Sequence, residues 1–444
     1  MPSIVKDVNS YLSDAKKQQR LLSEYLISLN MEASEELLVN DLIEKLPQIY
    51  GPYVRYVYDD YENIVEAHMY NFQEIPDDFF TNISTLRKVT FTNCQIRKIG
   101  ARAFKGCTSL EDIDLMQPPE EGSSTSTYPD GSELTLSWTN QSYLTILEDE
   151  AFRDCVNLKA PLPNTLSYIG DYALSKTAYT ELTHLENLYH VGKQAFGECP
   201  NLTSFTWYGD WSHRYLGDYI FYNCPKLSQV NVPEGIETLP GHMFYRCPQI
   251  AHTSQDLPNT LVHIGPCAYA CTSCNITSFP ESLRLIGNGA FRNCPNITDV
   301  VVHENVDLSN CVWNNSYVDS IVFKCNMDSA FDFSLYSNDE NITQRCHVKR
   351  LTFEKDIIPH TAYYGLEECT EIWLRSGVTN IDITSGNDPV INWDRDTRIF
   401  KNCSPDLVIY VEADSAPSTW CDGWDRFADG SAIPVVYGVT ENPF

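Results

Sequence analysis

The chain has 444 residues, of which 43% are hydrophobic and 20% charged, a composition typical of globular proteins. Its formal net charge of −29 and its pI near 4.6 argue against nucleic acid or an anionic membrane surface as partner, because such binding relies on clustered Lys and Arg. No apolar stretch is long enough to span a bilayer, so we expect no membrane insertion either.

Residues 1–50 carry apolar side chains at helical spacing, first in Val5, Val8, Tyr11 and Leu12, and later in Leu37, Leu38, Leu42 and Leu46. Ser34 can cap the second helix and Pro47 can end it. The pattern predicts an N-terminal helical hairpin that serves as an attachment module or as a cap for the rest of the chain. No secretion signal is visible, so we expect the protein to act where it is made or to leave the cell inside a larger particle.

From residue 51 the chain changes character. Residues 51–72 are rich in Tyr and are predicted to form a first irregular coil. An aromatic or Leu then recurs every 22 to 25 residues, with one step of 48, at Phe80, Phe104, Phe152, Leu174, Phe196, Phe221, Phe244, Tyr269 and Phe291. This period is typical of a leucine-rich-repeat solenoid, and the step of 48 is one period plus an insertion.

Two further patterns accompany each aromatic. Downstream, apolar residues at i and i+2, such as Ile113 and Leu115, alternate like a short strand. Upstream, the stretch Leu166-x-x-Ile169-Gly170-x-x-Ala173 recurs. We expect the repeated Gly to form a turn with positive φ and the repeated Ala to let neighbouring coils approach. Each coil is thus predicted to contain one short strand.

Six of the 16 cysteines occupy one offset of the repeat, namely Cys107, Cys155, Cys199, Cys224, Cys247 and Cys294. At that offset Cys is expected to act as a small buried hydrophobic side chain. The spacing therefore favours free thiols, although disulfides stay an alternative.

The repeat resembles that of the BspA-type leucine-rich-repeat proteins, L-x-x-I-G-x-x-A-F-x-x-C-x-x-L-x-x-I-x-I. The resemblance extends from about Ile75 to Tyr437, and the final segment is similar to the one that closes many such proteins. It implies a curved leucine-rich-repeat solenoid at residues 51–400, with one short strand per 22–25-residue coil, and a closing segment at 401–444. Together with the helical hairpin at residues 1–50, this predicts an α+β repeat fold. The resemblance also implies adhesion to proteins or surfaces.

A shorter resemblance concerns residues 22–49. Their sequence is similar to a helical module near the N-termini of bacteriophage tail and other virion proteins, although Asn30 stands where that module usually has Gly. This resemblance implies docking of residues 1–50 to other virion proteins.

Three segments interrupt the repeat and are predicted to be loops near the binding face. Residues 117–142 are expected to end in a small hairpin, residues 208–215 carry Trp211, and residues 385–397 carry Trp393.

Catalytic motifs are not found, so we predict no enzyme activity, no catalytic residues and no cofactor. His263, Cys267, Cys271 and Cys274 have the ligand types of a zinc site. Repeat packing accounts for at least one of these thiols, however, and we predict no metal.

The strand face is the predicted binding surface, because residues between the apolar strand positions must point outward and stack into a ladder. With the insertion tryptophans, the candidate residues are Asp112, Asp114, Thr206, Trp211, Gln229, Asn231, Arg350, Glu371, Trp373 and Trp393.

These observations predict a non-enzymatic adhesion protein that binds a protein or glycan on a host surface. The N-terminal resemblance points to a virion-associated protein of a phage. The alternative is a bacterial cell-surface or intracellular interaction protein. Homo-oligomerisation stays open.

Overall fold

The computed structural model describes residues 52–92, 94–116, 143–309, 312–325, 346–355, 368–378, 403–420, 424–427 and 429–440, together with the strands at 123–127, 133–137, 357–359 and 380–382. The predicted helical hairpin of residues 1–50 and the insertion at 385–397, including Trp393, lie outside these residues.

The described residues form a β-solenoid. In chain order its strands are β1 (Tyr53–Tyr58), β2 (Ile64–Tyr70), β3 (Glu74–Ile75), β4 (Lys88–Thr92), β5 (Lys98–Ile99), β6 (Asp112–Ile113), β7 (Ser123–Thr127), β8 (Glu133–Ser137), β9 (Ile146–Leu147), β10 (Tyr168–Ile169), β11 (Glu181–Leu182), β12 (His190–Val191), β13 (Ser204–Phe205), β14 (Tyr215–Leu216), β15 (Gln229–Val230), β16 (Thr238–Leu239), β17 (His263–Ile264), β18 (Leu285–Ile286), β19 (Asp299–Val302), β20 (Asp307–Leu308), β21 (Tyr317–Phe323), β22 (His347–Phe353), β23 (Ile357–Pro359), β24 (Glu371–Leu374), β25 (Asn380–Asp382), β26 (Val408–Val411) and β27 (Val435–Tyr437). One 3₁₀ turn, Ser254–Asp256, is the helical element of these ranges, so the predicted α+β class is wrong for this part of the chain. Within the same ranges no helix is long and apolar enough to cross a membrane.

Most coils contain two short strands, so the prediction of one strand per coil is also wrong. One set forms the sheets β3-β5-β9-β10-β12-β14 and β16-β17-β18-β20. We call this the Gly-side face, because a Gly follows most of its strands. The other set forms the sheets β1-β2-β4-β6, β11-β13-β15 and β19-β21-β22-β24-β26-β27, which we call the Cys-side face. The predicted strands belong to the Cys-side face.

The described solenoid begins with a β-hairpin rather than with the irregular coil predicted for residues 51–72. Strands β1 and β2 pair antiparallel, and β2 then pairs parallel with β4. The rings of Tyr53 and Tyr70 stack at 4.5 Å across the hairpin. In the insertion at 117–142, β7 and β8 pair antiparallel, as predicted.

A column of aromatic rings fills the core. The Phe80 and Phe104 rings stack at 5.0 Å, and the Phe104 and Phe152 rings stack at the same distance across the insertion. The 48-residue step therefore is one coil plus an excursion, as predicted. Further along, the rings of Phe221 and Phe244 stack at 5.9 Å, and all five side chains are fully buried.

The repeated Gly does not have the positive φ that we predicted. Gly170 and Gly192 adopt ordinary backbone angles, and positive φ falls two residues later, on Tyr172 (57°) and Gln194 (52°). Gly is required instead because the preceding coil leaves no room for a side chain. A Cβ on Gly192 would lie 2.5 Å from the backbone nitrogen of Asp171 in that coil. Close contact between successive coils therefore selects Gly at this offset.

The buried cysteines act as hydrogen-bond donors as well as hydrophobic side chains. Each thiol of the repeat donates to the carbonyl of the residue at the aromatic offset in the preceding coil, as Cys107 Sγ does to Phe80 O at 3.1 Å and Cys247 Sγ to Phe221 O at 2.9 Å. Burial raises the pKa of the Cys107 thiol to about 12, so it keeps its proton. Every cysteine that the structure describes is free.

This hydrogen bond leads to a testable prediction for Cys247. Thr and Val have nearly the same shape, but Thr alone can donate a hydrogen bond, and Thr177 at this offset donates to Leu174 O of its own coil at 2.8 Å. We expect Cys247→Thr to be more stable than Cys247→Val by about 1 kcal/mol, because the Thr hydroxyl can make this bond within its coil whereas Val offers no donor at all. Urea unfolding of both variants measures the difference. A Val variant as stable as the Thr variant would mean that this offset needs no hydrogen-bond donor and that its side chain contributes by packing alone.

Candidate binding surface

The predicted binding residues are spread along the Cys-side face. At its N-terminal end Asp112 and Asp114 are exposed. Asp112 pairs with Lys88 on the neighbouring strand, with 2.7 Å between Nζ and Oδ2, while Asp114 Oδ1 accepts the backbone N–H of Met116 at 3.0 Å. Both carboxylates thus reach solvent, but each already has a partner within the chain.

In the middle of the face the sheet β11-β13-β15 presents Thr206, Gln229 and Asn231. Gln229 and Asn231 are exposed and Thr206 is half-buried. The Asn231 amide pairs with the backbone of Trp207 in the preceding coil, accepting from its N–H at 2.8 Å and donating to its C=O at 3.0 Å. Asn231 therefore continues the strand pairing by one side chain, and its amide already has a partner within the chain.

Trp211 was predicted to lie on the surface, but it is buried, and only 3% of it is exposed. Its ring packs edge-on against Trp207 at 4.6 Å, and its Nε1 donates to Tyr208 O at 3.1 Å. The Arg214 guanidinium lies over the same ring, 5.0 Å from its centroid. The insertion at 208–215 therefore folds its tryptophan onto the solenoid core, where its apolar area is removed from water.

The C-terminal sheet brings two predicted residues together. Parallel pairing places Arg350 on β22 beside Glu371 on β24, and Asp299 and Ser320 continue the same row on β19 and β21. Ser320 Oγ donates to Asp299 Oδ1 at 2.5 Å, and Arg350 Nη2 lies 3.9 Å from that oxygen. We call these four side chains the C-terminal row.

Trp373 lies in the next row but is covered, with 2% of it exposed, so the prediction that it offers an outward surface is wrong. Tyr410 on β26 is its register partner, and the two rings stack at 4.3 Å. The Arg375 guanidinium lies 5.4 Å from the ring centroid, and Nε1 donates to Glu371 Oε2 at 3.3 Å. The role of Trp373 is therefore to hold the Glu371 carboxylate in the C-terminal row.

An aromatic pair beside this row was not predicted from the sequence. Tyr317 on β21 is 58% exposed and stacks on His347 of β22 at 4.3 Å. His347 Nδ1 lies 2.8 Å from Glu368 Oε1. The signal was present in the sequence, because both rings directly precede a buried Val at the start of a strand.

The sequence of the chain matches the BspA type leucine rich repeat region in six copies, over residues 55–128, 130–251 and 212–319. These segments cover more than half of the chain. The chain belongs to the BspA-type leucine-rich-repeat family. Proteins of this family are typically non-catalytic, often lie at the cell surface and use their repeats as protein-binding or adhesion surfaces.

One solved structure supports the leucine-rich-repeat fold. A leucine-rich repeat protein from Bacteroides ovatus is 15% identical, with 86% of this chain and 98% of that chain covered and a TM-score of 0.50. A leucine-rich repeat protein from Eubacterium ventriosum is 14% identical, with 88% and 94% covered and a TM-score of 0.40. At these identities the first similarity concerns the fold alone. A search among curated proteins finds no match to the chain.

The BspA-type repeats also explain the zinc-like cluster. Cys274 is fully buried beside Cys294, whereas His263 is exposed on the Gly-side face. Nowhere in the described part of the chain do three or more His, Cys, Asp or Glu side chains converge as a metal site requires.

Proposed function

We propose that this chain is a non-enzymatic adhesion protein that presents the Cys-side face to a protein or glycan partner. The observation that carries the proposal is the C-terminal row, in which Asp299, Ser320, Arg350 and Glu371 stand side by side on four adjacent strands. A guanidinium between carboxylates, flanked by the exposed Tyr317 ring, combines the directional polar groups and the aromatic area that protein interfaces use.

The remaining contacts are proposed from the predicted ladder. They are the exposed or half-exposed residues Asp112, Asp114, Thr206, Gln229 and Asn231. Because parallel coils repeat at about 4.8 Å, such side chains form an extended surface rather than a pocket. Trp393 stays a prediction from the sequence.

We further propose that the protein is virion-associated, with residues 1–50 docked to other virion proteins and the solenoid directed at a host surface. The support is the sequence similarity of residues 22–49 to helical modules of phage tail proteins. The rival location is the bacterial cell surface or the cell interior.

The test is binding of the labelled full-length chain to arrayed bacterial envelope proteins and glycans. We expect the double variant Arg350→Ala/Glu371→Ala to lose about tenfold or more in affinity, because a few residues near the centre of an interface, Arg among the most frequent, contribute most of its binding energy. The matched control is Lys324→Ala/Glu354→Ala, which removes another exposed ion pair (3.8 Å) at the ends of β21 and β22.

Equal affinities of the two double variants would refute the role of the C-terminal row.

Location is tested separately by mass spectrometry of purified phage particles and of cell envelopes from a strain that carries the gene. Peptides of this chain in the particles support the virion proposal, whereas peptides in the envelope alone favour the cell surface.

A further inference from the structure

A second aromatic surface lies on the Gly-side face. Strands β10, β12 and β14 pair in parallel and place Tyr168, His190 and Tyr215 in register. The rings of Tyr168 and His190 stack at 4.1 Å with 10° between their planes, and those of His190 and Tyr215 at 4.5 Å with 14°. Because the following residue of each strand points inward, the stack lies on the solvent side of the sheet.

A fourth ring widens this surface. Tyr189 is 53% exposed, as is Tyr215. Tyr189 directly precedes His190, the register partner of Tyr168. We call Tyr168, Tyr189, His190 and Tyr215 the Gly-side aromatic row. Four partly exposed rings on three successive coils form a larger aromatic surface than isolated exposed side chains do.

A set of carboxylates borders the Gly-side aromatic row. Asp171 follows Tyr168 by three residues and Asp218 follows Tyr215 by three, while Asp149 occupies the same offset one coil earlier. Each Asp uses Oδ1 to accept a backbone N–H of the next coil, at 2.8 Å for Asp149, 2.6 Å for Asp171 and 2.8 Å for Asp218. The turn therefore fixes the position of each charge.

Burial and the nearby carboxylates change the pKa values of two rings in the row. Burial, with the charges of Asp149, Glu148 and Asp171, raises the pKa of Tyr168. Burial lowers the pKa of His190, so its ring is neutral at pH 7 and adds no positive charge to the surface.

The nearby lysines are already engaged. Lys98 pairs with Glu148 at 3.3 Å, and the ammonium of Lys193 lies 5.6 Å from the centroid of the Tyr219 ring. Arg214, next to Tyr215, donates to Leu188 O at 2.6 Å. Four carboxylates, the three aspartates and Glu148, therefore stand against three cations, Lys98, Lys193 and Arg214, which leaves the border of the row negative by one charge.

We propose that the Gly-side aromatic row and its bordering aspartates bind a Lys- or Arg-rich segment of a protein partner. Charge complementarity selects this occupant, because a chain with a net charge of −29 attracts cationic partners and fixed carboxylates pair with guanidinium or ammonium groups. Tyr215 ends the stack on the edge strand β14 and is 53% exposed, so the ring face turned away from His190 offers the negative π surface that such cations favour. The surface lies on the Gly-side face and does not include the C-terminal row.

The experiment uses a fluorescent peptide of alternating Arg and Ser, titrated against the full-length chain by anisotropy. We expect binding that weakens with added salt, and about tenfold weaker binding for Asp149→Asn/Asp171→Asn/Asp218→Asn, because charge attraction is lost. The amide oxygen of Asn still accepts the hydrogen bond from the next coil, so the fold is retained. Tyr215→Ala is expected to weaken binding by about threefold or more.

The matched control is Asp77→Asn. Asp77 Oδ1 accepts the Ala101 N–H at 2.9 Å in the same way, but it lies on the coil of β3, away from the aromatic row. Affinity equal to that of the unaltered chain is expected for this control and for Arg350→Ala/Glu371→Ala, which tests the separate C-terminal row. The proposal is overturned if the triple Asn variant binds like the unaltered chain, or if the corresponding Glu-Ser peptide binds equally well. Binding of a neutral oligosaccharide that survives the Asn substitutions, without peptide binding, would likewise overturn it.

Discussion

Gly192→Ala is expected to destabilise the solenoid by about 2–4 kcal/mol, a large effect for the addition of one methyl group. The new Cβ would lie 2.5 Å from both the Asp171 nitrogen and the Gly170 carbonyl carbon, which are backbone atoms of the preceding coil. Neither atom can move by rotating a side chain, so the two coils must separate. Separation lengthens the hydrogen bond from Gly192 N to Ile169 O, now 2.7 Å, and opens the pairing of β10 with β12.

The matched control for this substitution is Gly241→Ala. A Cβ at Gly241 would meet Asp218 Oδ1 at 3.2 Å and Pro266 Cγ at 3.3 Å, both side-chain atoms that can shift slightly. We expect a change within about 1 kcal/mol, since both glycines have φ values that Ala accepts. Urea unfolding followed by circular dichroism measures both variants. Similar losses at the two sites would show that close contact between coils is not what requires Gly192.

Phe221→Ala is expected to cost about 3–5 kcal/mol, because it removes a fully buried ring from the centre of the aromatic column. Phe221 stacks on Phe196 at 5.7 Å and on Phe244 at 5.9 Å, and it meets Phe205 edge-on at 5.2 Å. The cavity would open between three successive coils. Coils on both sides should therefore lose protection from hydrogen exchange, which mass spectrometry can follow.

The conservative variant Phe221→Leu separates lost volume from lost stacking. Leu174 already occupies this offset in another coil and is fully buried there. We expect Phe221→Leu to cost about 1–1.5 kcal/mol, because most of the apolar volume is kept. If the Leu and Ala variants were equally unstable, the ring contacts rather than the filled volume would determine stability at this position.

The solenoid could be predicted because its signal is periodic and local. Phe104 and Phe152 were aligned across 48 residues, and in the structure their rings stack at 5.0 Å. The strand at Ser204–Phe205 followed from apolar alternation. The strand at Tyr168–Ile169 was missed, since its sequence has a single inward apolar residue and no alternation.

The candidate surface was predicted only in part. Strand alternation predicted that Arg350 and Glu371 point outward, because side-chain direction in a strand is a local property, and the parallel pairing of β22 with β24 sets them side by side. Exposure is not local, and Trp373 is covered by Tyr410, a side chain 37 positions further along the sequence. The stack of Tyr168, His190 and Tyr215 could not be recognised either, because its three rings are joined only by the pairing of successive coils.

What the sequence by itself determined is the repeat, its period, the buried offsets and the outward strand positions, all of which depend on spacing along the chain. The tertiary structure alone decided that Gly170 and Gly192 serve close contact rather than a positive φ, that the Cys107 thiol donates to the Phe80 carbonyl, and that Trp211 folds inward. The physical reason is the same in each case. These properties depend on the distance between one coil and the next, and that distance is set when the whole column of side chains packs.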